Sequence, residues 1–298
     1  MVPAEALRRL VRRLRGSAGS AWEHGLGAIP HRARGVVVGT MLRALPRRAR
    51  LSVAGRAAPA LGPDAYLPIL SGPLRGTKWM VHSSLHSCLA GDYEPEIQRV
   101  FERHVAPGSV VFDVGANVGF LSLLAARLAG PAGRVIAFEP APAAVGYLRR
   151  HVALNRAHNI EIIAVAVADE NGRARFSSAG PVEMGHLADD GQLEVETASL
   201  DTLVETGIIP PPDIVKIDVE GAELGVLRGA QAILRARRPV VVLSTHGLES
   251  HEASCSLLRS LGYAVTLLEH SLANTDFDFL GELVAEPTVS TAARVAHS

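Results

Sequence analysis

Cysteine is nearly absent from this chain of 298 residues, with only Cys88 and Cys255. Two isolated cysteines supply no metal-ligand spacing and no disulfide framework, so a reduced, cytoplasmic protein is expected. Aromatic residues make up only 4%, which argues against the stacking platforms of single-strand nucleic-acid binders. Long apolar runs are missing too. Stretches such as Val36–Val38 and Val240–Leu243 fall far short of the ~18 residues of a membrane span. The N-terminus lacks the ~7–15-residue apolar core of a secretory signal. Lysine occurs only at Lys78 and Lys216, so arginine carries nearly all the positive charge. The Ala- and Gly-rich composition accounts for that preference as a coding bias, without any function.

Hydrophobic residues reach 48%, enough for a sizeable core. Net charge is zero but unevenly placed: residues 1–60 hold 12 arginines against Glu5 and Glu23. Such asymmetry suggests a basic arm with its own partner. Within it, Leu7, Leu10, Val11 and Leu14 recur at helical spacing over 4–15, with arginines largely on the other faces. This short amphipathic helix could meet an anionic membrane surface or a protein partner, or could simply pack with a solvated arginine face. We divide the chain into a basic extension and linker over 1–65, a hairpin and lid segment over 66–90, a main domain over 91–287, and a tail over 288–298.

Within the main domain, apolar strands alternate with helices. Strands are expected at Val110–Val114, Val135–Phe138, Ile160–Val167, Ile214–Ile217, Pro239–Leu243 and Tyr263–Leu268. Helices are expected at Phe120–Ala129, Ala143–Asn155, Ala222–Arg235 and Ser254–Leu261. Continuous apolar strands alternating with helices imply an α/β fold, a doubly wound, mostly parallel sheet covered on both faces. Residues 170–200 interrupt the rhythm and read as an inserted hairpin, Arg173–Ser177 with Leu193–Thr197. Its loop, 178–192, is placed to help choose a substrate.

The strand ending in Asp113 runs into Gly115-Ala116-Asn117-Val118-Gly119. Gly115 lets backbone pass under a ligand without a Cβ in the way, and Gly119 opens a helix. The dinucleotide spacing G-x-G-x-x-G is absent. A carboxylate at the mouth would repel a pyrophosphate but suits the ammonium and sulfonium of S-adenosylmethionine. Glu139 ends the next strand at an offset typical of an acid that bonds ribose hydroxyls. Val167 leads to a turn at Asp169 that should lie near an adenine edge. Asp218 follows the strand Ile214–Ile217, at the rim where open α/β sheets bind ligands. Glu220 and Glu223 start the next helix, where acids also favour the helix dipole. His246 ends a central strand and is a candidate proton acceptor, or a loop histidine before Gly247. Asp218 and Glu220 together could hold a divalent ion, but no third dedicated ligand is visible and no metal is assigned.

The segments VFDVGANVGF, AFEP, TASLDTL and DIVKIDVEGAELGVLRGA, with GDYEPE before them and RPVVVLSTHG after, resemble the FkbM-type methyltransferases over about 90–270. The resemblance implies a seven-stranded, Rossmann-like class I methyltransferase fold and S-adenosylmethionine as donor. It also implies O-methylation of a hydroxyl on a sugar or other secondary metabolite. By that likeness Asp113, Gly115, Asn117, Gly119 and Glu139 would hold the cofactor, with Ala116, Pro140, Val167 and Asp218 around it. Asp218 and Glu220 would face the active site, with His246 as the further catalytic candidate. Family members often carry a glutamate just after the fifth strand, where this chain reads Leu243-Ser-Thr-His246-Gly. A small-molecule or glycan acceptor and no nucleic acid are the expected partners. Two other readings stay open: a dinucleotide-dependent oxidoreductase on a similar sheet, and a non-catalytic adapter tethered by its basic arm.

Overall fold

The computed structural model describes residues 34–35, 37–39, 42, 61–62, 64–84, 86–177, 185–188, 190–268 and 279–288. Nearly all of the basic arm, including the amphipathic segment 4–15, lies outside them. So do 178–184 and 189 of the insertion loop and all of the tail except Thr288. The chain divides into two compact units, residues 1–93 and 94–298. Among the described residues, no helix is long and apolar enough to cross a membrane.

In the first unit, β1 (Tyr66–Pro68) pairs antiparallel with β2 (Lys78–Met80), as the Gly72-Pro73 and Gly76 turn signals suggest. A short helix, α1 (His86–Ala90), closes onto the preceding loop: the Leu70 N–H donates to Leu89 O at 3.0 Å.

The second unit is the α/β domain. Its strands and helices, in order, are α2 (Pro95–His104), β3 (Val110–Val114), α3 (Phe120–Ala129), β4 (Arg134–Phe138), α4 (Pro142–Asn155), β5 (Ile160–Ile163), β6 (Ala166–Val167), β7 (Gly172–Ser177), β8 (His186–Leu187), β9 (Leu193–Ala198), α5 (Leu200–Glu205), β10 (Ile214–Ile217), α6 (Glu223–Arg228), α7 (Gln231–Ala236), β11 (Val240–His246), α8 (Leu248–Ser260), β12 (Tyr263–Leu267) and β13 (Phe279–Pro287). Seven strands form the main sheet in the order β12-β13-β11-β10-β3-β4-β5. Every pairing in it is parallel except the two made by β13. The doubly wound, mostly parallel architecture expected from the strand–helix alternation is therefore present.

Register explains where charge goes. Residues opposite one another in a ladder share a face, and faces alternate with period two. Asp113 pairs with Lys216, Lys216 with Val242, and Ser244 with Glu282, which puts these side chains on one face. The alternate set, Phe112, Val114, Val215, Ile217, Val241 and Leu243, builds the apolar core with Val226, Leu227 and Leu258 of α6 and α8. Helix α3 has eight of its ten residues buried, which fits its nearly all-apolar sequence.

Four departures from the sequence reading have physical causes. The run 160–167 is not one strand: β5 joins the main sheet, while β6 pairs with β9 in a separate four-stranded sheet. The expected helix 222–235 breaks at Gly229-Ala230. Gly229 packs so close to the Ala168 carbonyl that a Cβ would sit 2.1 Å from its oxygen, and the Asp201 carboxylate accepts from Ala232 and Ile233 N–H to cap α7. Strand β11 continues to His246 because β13 pairs along it, and β13 itself was not anticipated. Helix α5 was also missed, although Ser199 caps it, with Oγ accepting from Thr202 N–H.

Gly115 is where the fold is least tolerant. Its φ is +76°, and a Cβ there would lie 1.8 Å from the Asp218 carbonyl oxygen. Gly108 also has positive φ (+90°), but nothing lies within 4 Å of its Cβ position. Gly108→Ala should therefore cost only the left-handed strain, ~1–2 kcal/mol. Gly115→Ala must part the β3 and β10 strand ends and should consume much of a stability of ~5–15 kcal/mol. Urea titration of the two variants checks the contrast; equal midpoints would refute it.

Candidate active site

The loop after β3 is built on left-handed backbone at Gly115, Asn117 (φ +50°) and Gly119 (φ +93°). Gly115 and Ala116 N–H both donate to Phe138 O, which holds the loop against the end of β4. Glu139 grips it from the other side. One carboxylate oxygen accepts from Asn117 N–H and the other from Ala141 N–H, each at 2.8 Å. Burial pushes the Glu139 carboxyl up, and these two amides and Lys216 only partly offset it. From α4, His151 Nδ1 meets Val118 O at 2.8 Å. Burial drives His151 down to about 4, so it is neutral and Nδ1–H is the donor. The Asn117 Oδ1 is buried and has no hydrogen-bond partner among the described residues.

Asp113 stands differently from its expected place at an open mouth. Its side chain is fully buried beneath the loop. Ser122 Oγ donates to Oδ2, and Lys216 Nζ lies 3.4 Å from Oδ1. Lys216 also donates to Gly115 O at 2.9 Å and sits 3.6 Å from Asp218. Burial alone would push the Lys216 ammonium down, but Asp113, Asp218 and Glu94 outweigh it and hold it above its ordinary range. Asp113 therefore braces the loop from below with its charge matched, and Asp218 is the carboxylate nearer the rim. The sequence marks Lys216 only as one of two lysines and gives it no role at the site. Its signal was a lone lysine within an apolar strand, in register with an aspartate on the next strand.

An apolar cleft opens beside this loop, lined by Gly115, Pro140, Val167, Phe176, Leu187 and Val219 among others. Pro140 and Val167 had been placed near a nucleoside; Phe176 and Leu187 come from the inserted hairpin and had not. Asp169 lies in a bend beyond Val167.

The second acidic cluster closes around His246. Its Nδ1 lies 2.9 Å from Glu223 Oε1 and its Nε2 lies 3.2 Å from Glu220 Oε2. Glu223 has no solvent exposure and also accepts from Gly221 N–H and Ser250 Oγ. Burial alone would raise the Glu223 carboxyl, but His246 and the Gly221 N–H outweigh it and hold it low. A helix-dipole role, worth ~0.3–1 kcal/mol, cannot explain the position, since burying a carboxylate costs several kcal/mol. Burial opposes protonation of His246, yet Glu223, Asp218 and Glu220 together raise its affinity for a proton. Glu220 is itself pushed up by burial, against the pull of His246. Asp218, Glu220 and His246 each offer an atom within 4.8 Å of the others, a third donor that spacing alone did not reveal. However, both ring nitrogens of His246 already face carboxylates and Asp218 faces Lys216, so no metal ligands are assigned.

Glu282 of β13 completes the charged face. It lies opposite Ser244, where the resemblance had suggested a strand-end glutamate. Burial first, then Glu96 and Asp218, push it up to about 7, partly offset by Lys216.

The sequence model of the methyltransferase FkbM domain matches residues 113–265, just over half of the chain. The hexuronic acid methyltransferase AglP of Haloferax volcanii is 28% identical over 190 residues, covering 63% of this chain and 75% of that protein. The 31-O-demethyl-FK506 methyltransferase FkbM of Streptomyces tacrolimicus is 31% identical over 207 residues, covering 56% and 78%. The 2-O-methyltransferase NoeI of Sinorhizobium fredii is 28% identical over 158 residues, covering 44% and 61%.

The Glu282 proton makes stability depend on pH with a definite sign. Folded, it titrates at about 7; unfolded, at its ordinary 4.5. The native state binds the extra proton between these values, so stability falls as pH rises through that window. Glu282→Gln mimics the protonated form. Its melting temperature by calorimetry should exceed that of the wild type near pH ~8 and nearly match it near pH ~5; the reverse order would contradict the assignment. With fold, loop and family match in agreement, this chain belongs to the FkbM family of methyltransferases and takes its methyl group from S-adenosylmethionine.

Proposed function

We propose that the enzyme methylates a hydroxyl oxygen on a sugar or a secondary metabolite, with a small molecule or glycan as acceptor. The observation that carries this reading is His246, half-buried at the sheet rim beside Asp218, with Nδ1 2.9 Å from the buried Glu223 carboxylate and Nε2 3.2 Å from the more exposed Glu220. A hydroxyl needs a base to become a nucleophile, and an imidazole whose proton affinity is raised by neighbouring carboxylates suits that task. The named activities of AglP and NoeI, on a hexuronic acid and at a 2-O position, support an oxygen acceptor. We place the work in the domain 91–287 and in the cytoplasm, where the donor is made.

The residues fit S-adenosylmethionine. The apolar cleft at Pro140 and Val167 suits the adenine. Glu139 retains acceptor capacity for ribose hydroxyls, since each oxygen takes only one amide. Ala116 and Gly119 frame the loop, and the orphaned Asn117 Oδ1 is ready to accept from a ligand donor. Asp218, at the rim, adds negative charge suited to a cationic ligand. When bound, the donor supplies a methyl group on a positively charged sulfur. The chain's own work is to hold the acceptor oxygen in line, take its proton on His246, and orient it through Asp218 and Glu220.

Titration calorimetry with S-adenosylhomocysteine should show binding that Glu139→Ala weakens at least ~10-fold, the loss of one or more charge-assisted hydrogen bonds; no binding by the wild type would end the reading. Mass spectrometry of a panel of uronic-acid glycosides and polyol metabolites, incubated with enzyme and donor, should reveal one added O-methyl group. On the acceptor so identified, His246→Gln should lower kcat by ~10²–10⁴-fold with little change in KM.

A further inference from the structure

We propose that Glu223 is a positioning residue, whose buried carboxylate fixes the orientation and tautomer of His246 so that Nε2 is the proton-accepting atom at the rim. This rests on the reading of His246 as the base. The geometry is that of an anchored carboxylate. Oε1 accepts from Gly221 N–H at 2.8 Å and faces His246 Nδ1 at 2.9 Å, while Oε2 accepts from Ser250 Oγ at 2.9 Å. These partners come from the loop after β10, the end of β11 and the start of α8, so the side chain is clamped from three directions. A fully buried carboxylate held ionised can only accept hydrogen bonds. The proton on the facing ring nitrogen must therefore reside on Nδ1, and in the neutral ring the lone pair lies on Nε2, 3.2 Å from the Glu220 carboxyl, whose own proton affinity is raised by burial.

The proton balance then closes. The acceptor hydroxyl gives its proton to Nε2 as its oxygen gains the methyl group. The resulting imidazolium donates from both nitrogens, to Glu223 and to Glu220. Glu220, with its side chain 37% exposed, returns the proton to solvent. The other charged groups around the ring are Asp218 and Glu220, with Lys216 against Asp218, His186 acting on Glu220, and Glu282 acting on Asp218. Of these carboxylates Glu223 is the one whose oxygen lies against Nδ1, so a change at Glu223 alters the partner of that nitrogen directly.

The test is nitrogen NMR of the histidine rings in the full chain with S-adenosylhomocysteine bound, His246 being assigned by the signal lost in His246→Gln. The wild type should show the Nδ1–H tautomer when neutral. Glu223→Gln, of nearly equal volume but uncharged, should titrate at least ~1 pH unit lower. Glu223→Asp should keep more of the wild-type value than the glutamine variant does, and it serves if Glu223→Gln does not fold. A neutral His246 protonated on Nε2, or wild-type titration in Glu223→Gln, overturns the proposal. Wild-type methyl transfer by His246→Gln would remove the base reading while leaving the tautomer measurement standing, so the two failures are distinguishable.

Discussion

The Lys216 ammonium joins the two strand ends on which the cleft is built. It reaches Asp113 on one side, Asp218 on the other, and the Gly115 carbonyl between them. Strands β3 and β10 are neighbours in register, so the contact is dictated by the ladder. Removing one partner from such a buried group leaves an uncompensated charge, at a cost of ~3–5 kcal/mol. The glycine loop, the position of Asp218 and the low exposure of the whole floor all depend on this balance. Gly115 makes the close approach possible, because any side chain there would collide with the Asp218 backbone.

Around that floor, the two faces of one sheet divide the labour. The face bearing Phe112, Val215 and Val241 packs into the apolar core and supplies stability. The opposite face carries Asp113, Lys216, Ser244 and Glu282 and supplies polarity. Charge gathers toward the carboxyl ends of the strands, where the parallel ladder opens into loops. The same burial that shields the cluster pushes Glu139, Glu220 and Glu282 up while Glu223 is held down. Carboxylates a few residues apart thus have distinct proton affinities, which is what acid–base chemistry at a single site requires.

Some of this was legible beforehand for definite reasons. Strands β3, β4 and β10 are short apolar runs followed by glycine or acid, and each reads directly as a buried parallel strand ending at a ligand rim. Strand β13 was not legible, since its antiparallel partner β11 lies more than thirty residues away and nothing local marks the pairing. The break between α6 and α7 was hidden because its cause is the Ala168 backbone and the Asp201 cap, both distant in sequence. Glu223 looked like an ordinary first-turn acid until its three hydrogen bonds were seen together.

By itself the sequence determined the class of fold, the family, and the residues from which the floor and rim are made, because local periodicity, tight turns and strand-end acids are encoded within a few residues of one another. Only the tertiary structure decided which acids are neutralised and which are open, that Asp113 lies beneath the loop with Lys216, and that His246 is gripped by Glu223. Those outcomes depend on which strands become neighbours and in what register, and pairing across more than a hundred residues of chain leaves no trace in local sequence.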